Sequence, residues 1–186
     1  MAYDPENYWD KRGEDYKGSG DVLVETDNLK KIVRHFTDGD AQFLEVGSGY
    51  GRIWIELSTM HPVPPIDYSM CDFVDTMRLR CLRNTGNLPD YWNGKTLPYA
   101  DNQFDFVISF SVLLHVPPCE IERVFAEHVR VCKKHFFIAT YAGGLERLAE
   151  HCFEHDYKKL FEKYDLKIID EKFFQDGLRA NWLLEV

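Results

Sequence analysis

Short apolar runs and amphipathic stretches alternate along this chain from about residue 27 onward. Leu29, Ile32, Val33 and Phe36 recur at helical spacing and predict a helix over about 27–36, ended by Thr37-Asp38-Gly39-Asp40. Phe43-Leu44-Glu45-Val46 then predicts a short buried strand, followed by a glycine-rich turn and a helix over about 52–60. A proline-interrupted strand is expected from Val63 to Asp67 and a helix from Ser69 to Arg83. After a turn-rich stretch with a short strand near Tyr91–Asn93, Phe104 to Phe110 is the strongest strand in the chain. A helix over about 118–132 and a strand from His135 to Thr140 follow. Beyond the Gly143-Gly144 break come a short helix, a helix near Tyr157 to Lys163, and two closing strands over about 166–174 and 180–186.

Strands that alternate with helices imply a parallel sheet covered on both faces. The expected fold is therefore α/β: a Rossmann-like three-layer sandwich on a mostly parallel, seven-stranded sheet with a C-terminal antiparallel hairpin. In such a sheet ligands sit beyond the carboxyl ends of the strands. The chain divides into an aromatic N-terminal flap over residues 1–20, ending in Lys17-Gly18-Ser19-Gly20, and a single domain over residues 21–186.

Charge narrows the partners. The chain carries a net charge of -9, whereas gripping a nucleic-acid backbone calls for a basic field. Nucleic acid is thus disfavoured as a partner. Arg78, Arg80 and Arg83, the most basic stretch, read as a solvated helix face. The five cysteines, Cys71, Cys81, Cys119, Cys132 and Cys152, have no zinc-ribbon or thioredoxin spacing and read as free thiols. With no signal-peptide stretch and no run approaching membrane-spanning length, a reducing cytoplasm and no membrane partner are expected.

The turn after the first strand reads Glu45-Val46-Gly47-Ser48-Gly49-Tyr50-Gly51-Arg52. Its glycines allow a tight bend and close approach of a ligand. A dinucleotide fingerprint wants glycine at the first, third and sixth places, but the sixth here is Arg52. Glu45 would repel a pyrophosphate and attract an ammonium group, such as that of S-adenosylmethionine. Asp67, twenty residues after Gly47, is expected to end the second strand and to accept hydrogen bonds from ribose hydroxyls.

These motifs resemble the class I S-adenosylmethionine-dependent methyltransferases. The family's first motif is matched by Glu45 to Gly51 and its second-strand acid by Asp67, within Ile66-Asp67-Tyr68-Ser69. Its stretch around the fourth strand is matched from Leu97-Pro98-Tyr99 through Phe104-Asp105-Phe106-Val107 to Leu113-Leu114-His115-Val116, and Arg130-Val131-Cys132-Lys133 resembles the approach to its fifth strand. The similarity spans about residues 40–141. It implies S-adenosylmethionine as cofactor, held by Glu45, Gly47, Ser48, Gly49, Gly51, Asp67, Tyr68, Met70, Asn93 and Ser109. Within that set Glu45 and the glycine turn take the methionine part, Asp67 the ribose, and Asn93 with Tyr68 or Met70 the adenine. Asn93 stands where the family usually has an aspartate on the adenine amino group, and its amide oxygen is expected to accept that bond. Lys133-Lys134-His135 replaces the family's Lys-Pro-Gly-Gly turn.

The acceptor signatures of nucleic-acid methylases are missing, because the end of the fourth strand reads Ser109-Phe110-Ser111-Val112. A small molecule methylated on oxygen or nitrogen is expected, with His115 as a candidate base against a structural role. The alternatives are a non-catalytic cofactor-binding partner subunit and an RNA or protein methyltransferase. Tyr8, Trp9, Arg12 and Tyr16 resemble the Tyr-Trp…Arg-Gly opening of some small-molecule and sugar methyltransferases, and would form a lid over the acceptor or a docked helix. Cys119 lies too far beyond Asp105 to be a nucleophile. His151 and His155 share metal-pair spacing, but no third ligand stands out, so no metal is expected.

Overall fold

A computed structural model describes residues 3–16, 23–36, 41–60, 66–143 and 149–186. Its helices are α1 (Pro5–Arg12), α2 (Leu23–Phe36), α3 (Arg52–Ser58), α4 (Asp75–Thr85), α5 (Ile121–Val131) and α6 (Tyr157–Lys163). The strands are β1 (Ala41–Val46), β2 (Ile66–Asp72), β3 (Asp90–Tyr91), β4 (Phe104–Phe110), β5 (Cys132–Tyr141), β6 (Lys167–Phe174) and β7 (Arg179–Glu185). Among the described residues they form one seven-stranded sheet in the order β3-β2-β1-β4-β5-β7-β6. The first five strands pair in parallel, and β7 runs antiparallel to both β5 and β6. The expected α/β sandwich with a closing hairpin is the observed fold.

Alternation along the strands sorts the core into two faces, because successive side chains point to opposite sides of a sheet. Phe43, Phe106, Ile108, Phe137 and Leu183 pack against Leu29, Ile32 and Val33 of α2 and Ile53 and Leu57 of α3. Leu44, Val46, Val107, Phe136 and Ile138 pack on the other side against Val124 and Phe125 of α5 and Leu160 and Phe161 of α6. A buried ion pair ties the layers at the edge of the ligand end. Arg179 at the start of β7 donates to both carboxylate oxygens of Glu25 in α2 and, over 2.9 Å, to Ser111 Oγ just beyond β4.

Two expectations are corrected here. The second strand does not end at Asp67 but runs on through Tyr68-Ser69-Met70-Cys71 to Asp72, so α4 begins at Asp75 and not at Ser69. Pairing decides this: β1 matches β2 residue for residue from Ala41 with Ile66 to Val46 with Cys71. The arginines of α4 form a solvated face only in part: Arg83 is exposed, whereas Arg78 and Arg80 are partly covered. Arg80 donates to the carbonyls of Gly13 (2.7 Å) and Tyr16 (2.6 Å), and Arg83 pairs with Glu14. They clasp the N-terminal segment to the body. The proposed stops at 17–20 and 37–40, the start of the proline-rich strand at Val63 and part of the Gly143-Gly144 break lie outside the described residues. No helix among the described residues is long and apolar enough to cross a membrane.

Candidate active site

The glycine turn leaves β1 at the centre of the sheet, where neighbouring strands diverge. Gly47, Gly49 and Gly51 all have positive φ (72°, 54° and 85°), a region costly for any residue with a Cβ. A Cβ on Gly47 would stand 2.5 Å from Val112 Cγ2, and one on Gly51 would strike Thr85 and Cys81. A Cβ on Gly49 would meet nothing within 4 Å. Gly47 and Gly51 are therefore needed for packing, and Gly49 marks the open side of the turn.

Beyond the turn lies a cavity of about 420 Å³, inside the range of about 300–1,000 Å³ common for small-molecule sites. Glu45, Gly47, Ser48, Gly49, Arg52, Asp72, Phe73 and Asn93 line it together with Tyr3, Trp9, Tyr16 and His115. The turn's amides are not aimed into it. Gly47 and Ser48 donate to the Cys71 carbonyl (2.8 and 3.1 Å), and Gly49 donates to Asp72 Oδ2 at 2.8 Å. The wall also holds two buried carboxylates, Glu45 and Asp72, which suit hydroxyl or ammonium groups and not a phosphate.

Glu45 is 2% exposed, and burial pushes its carboxyl up to about 8 despite the hydrogen bond from Tyr68 (2.9 Å) and the nearby Arg52 guanidinium. Burial also raises the Asp72 carboxyl, against the pull of backbone N–H groups such as those of Val74 and Gly49. Arg52, over the Phe110 ring at 5.0 Å, brings a cation to the same end as Glu45. An acid and a guanidinium side by side match the two ends of an amino-acid zwitterion. Asp72, at the carboxyl end of β2, is placed to meet a ribose. These residues fit the cofactor that the motifs imply.

Several expected contacts are corrected. Asp67 is exposed, second in β2 and paired with Gln42, about 16 Å of strand from Asp72. It cannot reach the cavity. Tyr68 and Met70 point away from the cavity: Tyr68 braces Glu45 beside Phe43 and Trp54, and Met70 is buried against Cys81. Phe73 and Val74 line the wall expected of them. Asn93 does line the cavity, but its Oδ1 accepts from the amides of Lys95 (2.9 Å) and Thr96 (2.7 Å). Both lone pairs are taken, which leaves the amide N–H groups for a ligand. Gly51 and Ser109 lie off the cavity wall, and Ser111 replaces the latter. Asp72 and Arg52 were missed as site residues. The signal for Asp72 was present in Cys71-Asp72-Phe73, an apolar-acid-apolar strand end just before a helix.

Elsewhere on the wall, Trp9 meets His115 edge to face at 4.8 Å and Tyr16 at 5.3 Å, and its indole donates to Tyr3. Tyr8 and Arg12 stand behind this wall, Arg12 over the Tyr8 ring. His115 Nδ1 lies 3.0 Å from the His151 carbonyl, and burial lowers its pKa to about 4, so the ring is neutral at pH 7. Cys119 is exposed and lies off the cavity wall.

A family model described as a methyltransferase domain matches residues 44–139. No curated protein matches the chain. Among solved structures, an S-adenosylmethionine-dependent methyltransferase from Aquifex aeolicus is 16% identical with a TM-score of 0.69, covering 99% of each chain. Magnesium protoporphyrin IX methyltransferase from Synechocystis, with bound S-adenosylhomocysteine, is 14% identical with a TM-score of 0.73, covering 97% of this chain and 96% of its own. A chain from the complex between the Haloferax volcanii Trm112 methyltransferase activator and the putative methyltransferase is 16% identical with a TM-score of 0.73, covering 100% of this chain and 99% of its own. With the family match spanning more than half its length and the motifs at the ligand end of the expected sheet, this chain belongs to the class I S-adenosylmethionine-dependent methyltransferases.

Proposed function

We propose that this chain transfers the methyl group of S-adenosylmethionine to an oxygen or nitrogen of a small acceptor, a metabolite or sugar. The observation that carries this reading is a cavity wall that joins the charged groups of Glu45, Arg52 and Asp72 to the aromatic rings of Tyr3, Trp9, Tyr16 and His115, with Asp4 and Glu6 also on it. Glu45 takes the cofactor's ammonium group, Arg52 its carboxylate and Asp72 its ribose. The aromatic rings, largely from residues 3–16, pack on the acceptor and exclude water. When bound, the cofactor supplies the activated carbon, so the protein's work is alignment. His115 is neutral and can accept a proton from the acceptor, though its low basicity makes it a weak base.

The first sixteen residues act as the flap of this reading, docked on the body by Arg80 and Arg83. The net charge of -9 supports a small acceptor over RNA. Calorimetric titration with S-adenosylmethionine tests the cofactor half. Asp72→Ala should abolish binding, and Asp67→Ala should leave it unchanged within about threefold, since Asp67 lies at the far end of β2. Equal binding by Asp72→Ala and the wild type would refute the assignment. Production of S-adenosylhomocysteine with fractionated metabolites tests the acceptor half, and turnover only with RNA would overturn it.

A further inference from the structure

Behind the aromatic wall, two segments far apart in sequence bring three metal-ligating side chains together. His115 closes the short 3₁₀ turn Leu113–His115 after β4, and His151 and Cys152 lie in the segment leading to α6. One ring nitrogen of each histidine and the Cys152 sulfur lie within 4.8 Å of one another. His115 Nδ1 and Cys152 Sγ are 3.7 Å apart. In a tetrahedral set with metal bonds of about 2.0–2.1 Å to nitrogen and about 2.3 Å to sulfur, ligating atoms stand roughly 3.4–3.6 Å apart. The His115–Cys152 pair is already near that separation; ligation through His115 Nδ1 replaces its hydrogen bond to the His151 carbonyl and turns the His115 and His151 rings out of their stack.

The set is also held from outside. The Tyr8 ring stacks on His151 at 4.3 Å, and its hydroxyl lies 3.2 Å from His151 Nε2, which leaves Nδ1 open. A ligating histidine ordinarily has its second nitrogen fixed by such a partner. His155 is not part of the set, because the ligand atoms that lie within 4.8 Å of one another among the described residues are those of His115, His151 and Cys152.

We propose that His115, His151 and Cys152 form a three-ligand site for zinc or an ion of similar softness. Two imidazoles and a thiolate are the donors such an ion prefers. Three protein ligands with a fourth position open are the arrangement of a catalytic and not a structural zinc site. Since His115 lines the cavity, the fourth position is available to a hydroxyl or amine of the acceptor. That use of the ion rests on the methyl-transfer reading and takes the place of His115 as a base, whereas the binding of the ion does not depend on it.

The test is metal binding by the full chain after chelator treatment, with zinc alone by competition calorimetry and cobalt(II) by absorbance. The wild type should take up one equivalent of zinc with submicromolar affinity, and cobalt should show tetrahedral bands with a thiolate charge-transfer band. Cys152→Ser should remove the charge-transfer band and weaken zinc binding at least about 100-fold, and Tyr8→Phe should weaken it about 10- to 100-fold. S-Adenosylhomocysteine affinity, measured on each variant, should stay within about threefold and reports separately on the fold and the cofactor site. If Cys152→Ser melts, His151→Asn provides the same reading of zinc affinity. Absence of zinc uptake by the folded wild type, or zinc affinity unchanged in these variants, would overturn the site.

Discussion

Replacing Glu45 by Gln should uncouple cofactor binding from pH. The carboxyl is fully buried and its pKa lies near 8, against an ordinary 4.5, with loss of solvation the main cause. At pH 7 the ligand-free protein therefore carries a proton on Glu45 in about nine molecules of ten. An ammonium ligand needs the carboxylate, so binding at pH 7 should release about 0.9 proton, and affinity should rise close to tenfold per pH unit between pH 6 and 7.5. The cofactor's own α-amino group titrates near about 8, so the comparison is kept below that. Glutamine still accepts from Tyr68 but has no charge to gain. Its affinity should be flat over this range, meeting the wild type near the acid end and falling below it by up to about 10- to 100-fold where the carboxylate is formed. Calorimetry in two buffers of different ionisation enthalpy measures the released proton directly. Stability gives an independent check with a definite sign. A carboxyl whose pKa rises on folding binds more protons in the folded state, so the wild type should lose up to about 5 kcal/mol between pH 4.5 and 8. The Gln variant should lose much less. A wild type that binds cofactor without releasing a proton, with affinity parallel to that of Glu45→Gln, would refute the reasoning.

Other parts of the architecture make separate predictions. Gly47→Ala puts a Cβ 2.5 Å from Val112 at a φ of +72°, so thermal unfolding should show a loss of at least about 1–2 kcal/mol, of which Val112→Ala recovers only the steric part. Glu25→Gln leaves the buried Arg179 uncompensated and should cost about 3–5 kcal/mol in urea unfolding; a cost below about 1 kcal/mol would mean the pair is solvated. Arg80→Ala removes two hydrogen bonds to the carbonyls of Gly13 and Tyr16, each worth about 1.5–3 kcal/mol, so trypsin should cut after Lys11 or Arg12 at least about tenfold faster. An unchanged cutting rate would show that Arg80 is not what holds the N-terminal segment.

Much of the fold was legible because its signals are local. Helical spacing in α2 and apolar runs in β1, β4 and β5 need only near neighbours in sequence, and the glycine turn carries its conformational demand in its own residues. Glu45, Gly47, Ser48 and Gly49, read from the sequence as cofactor-binding residues, line the cavity for the same reason.

Tertiary structure decided what depends on partners far along the chain. The length of β2 is set by its hydrogen bonds to β1, so only the pairing reveals that Asp72 and not Asp67 stands at the ligand end. The role of Arg80 depends on carbonyls more than sixty residues earlier, and the meeting of His115 with His151 and Cys152 depends on how two loops pack. Sequence alone established the sheet, the turn and the cofactor family through periodicity and a local motif. Which side chains converge on the cavity is fixed by long-range pairing and packing, whose hydrogen bonds and contacts leave no periodic trace in the chain.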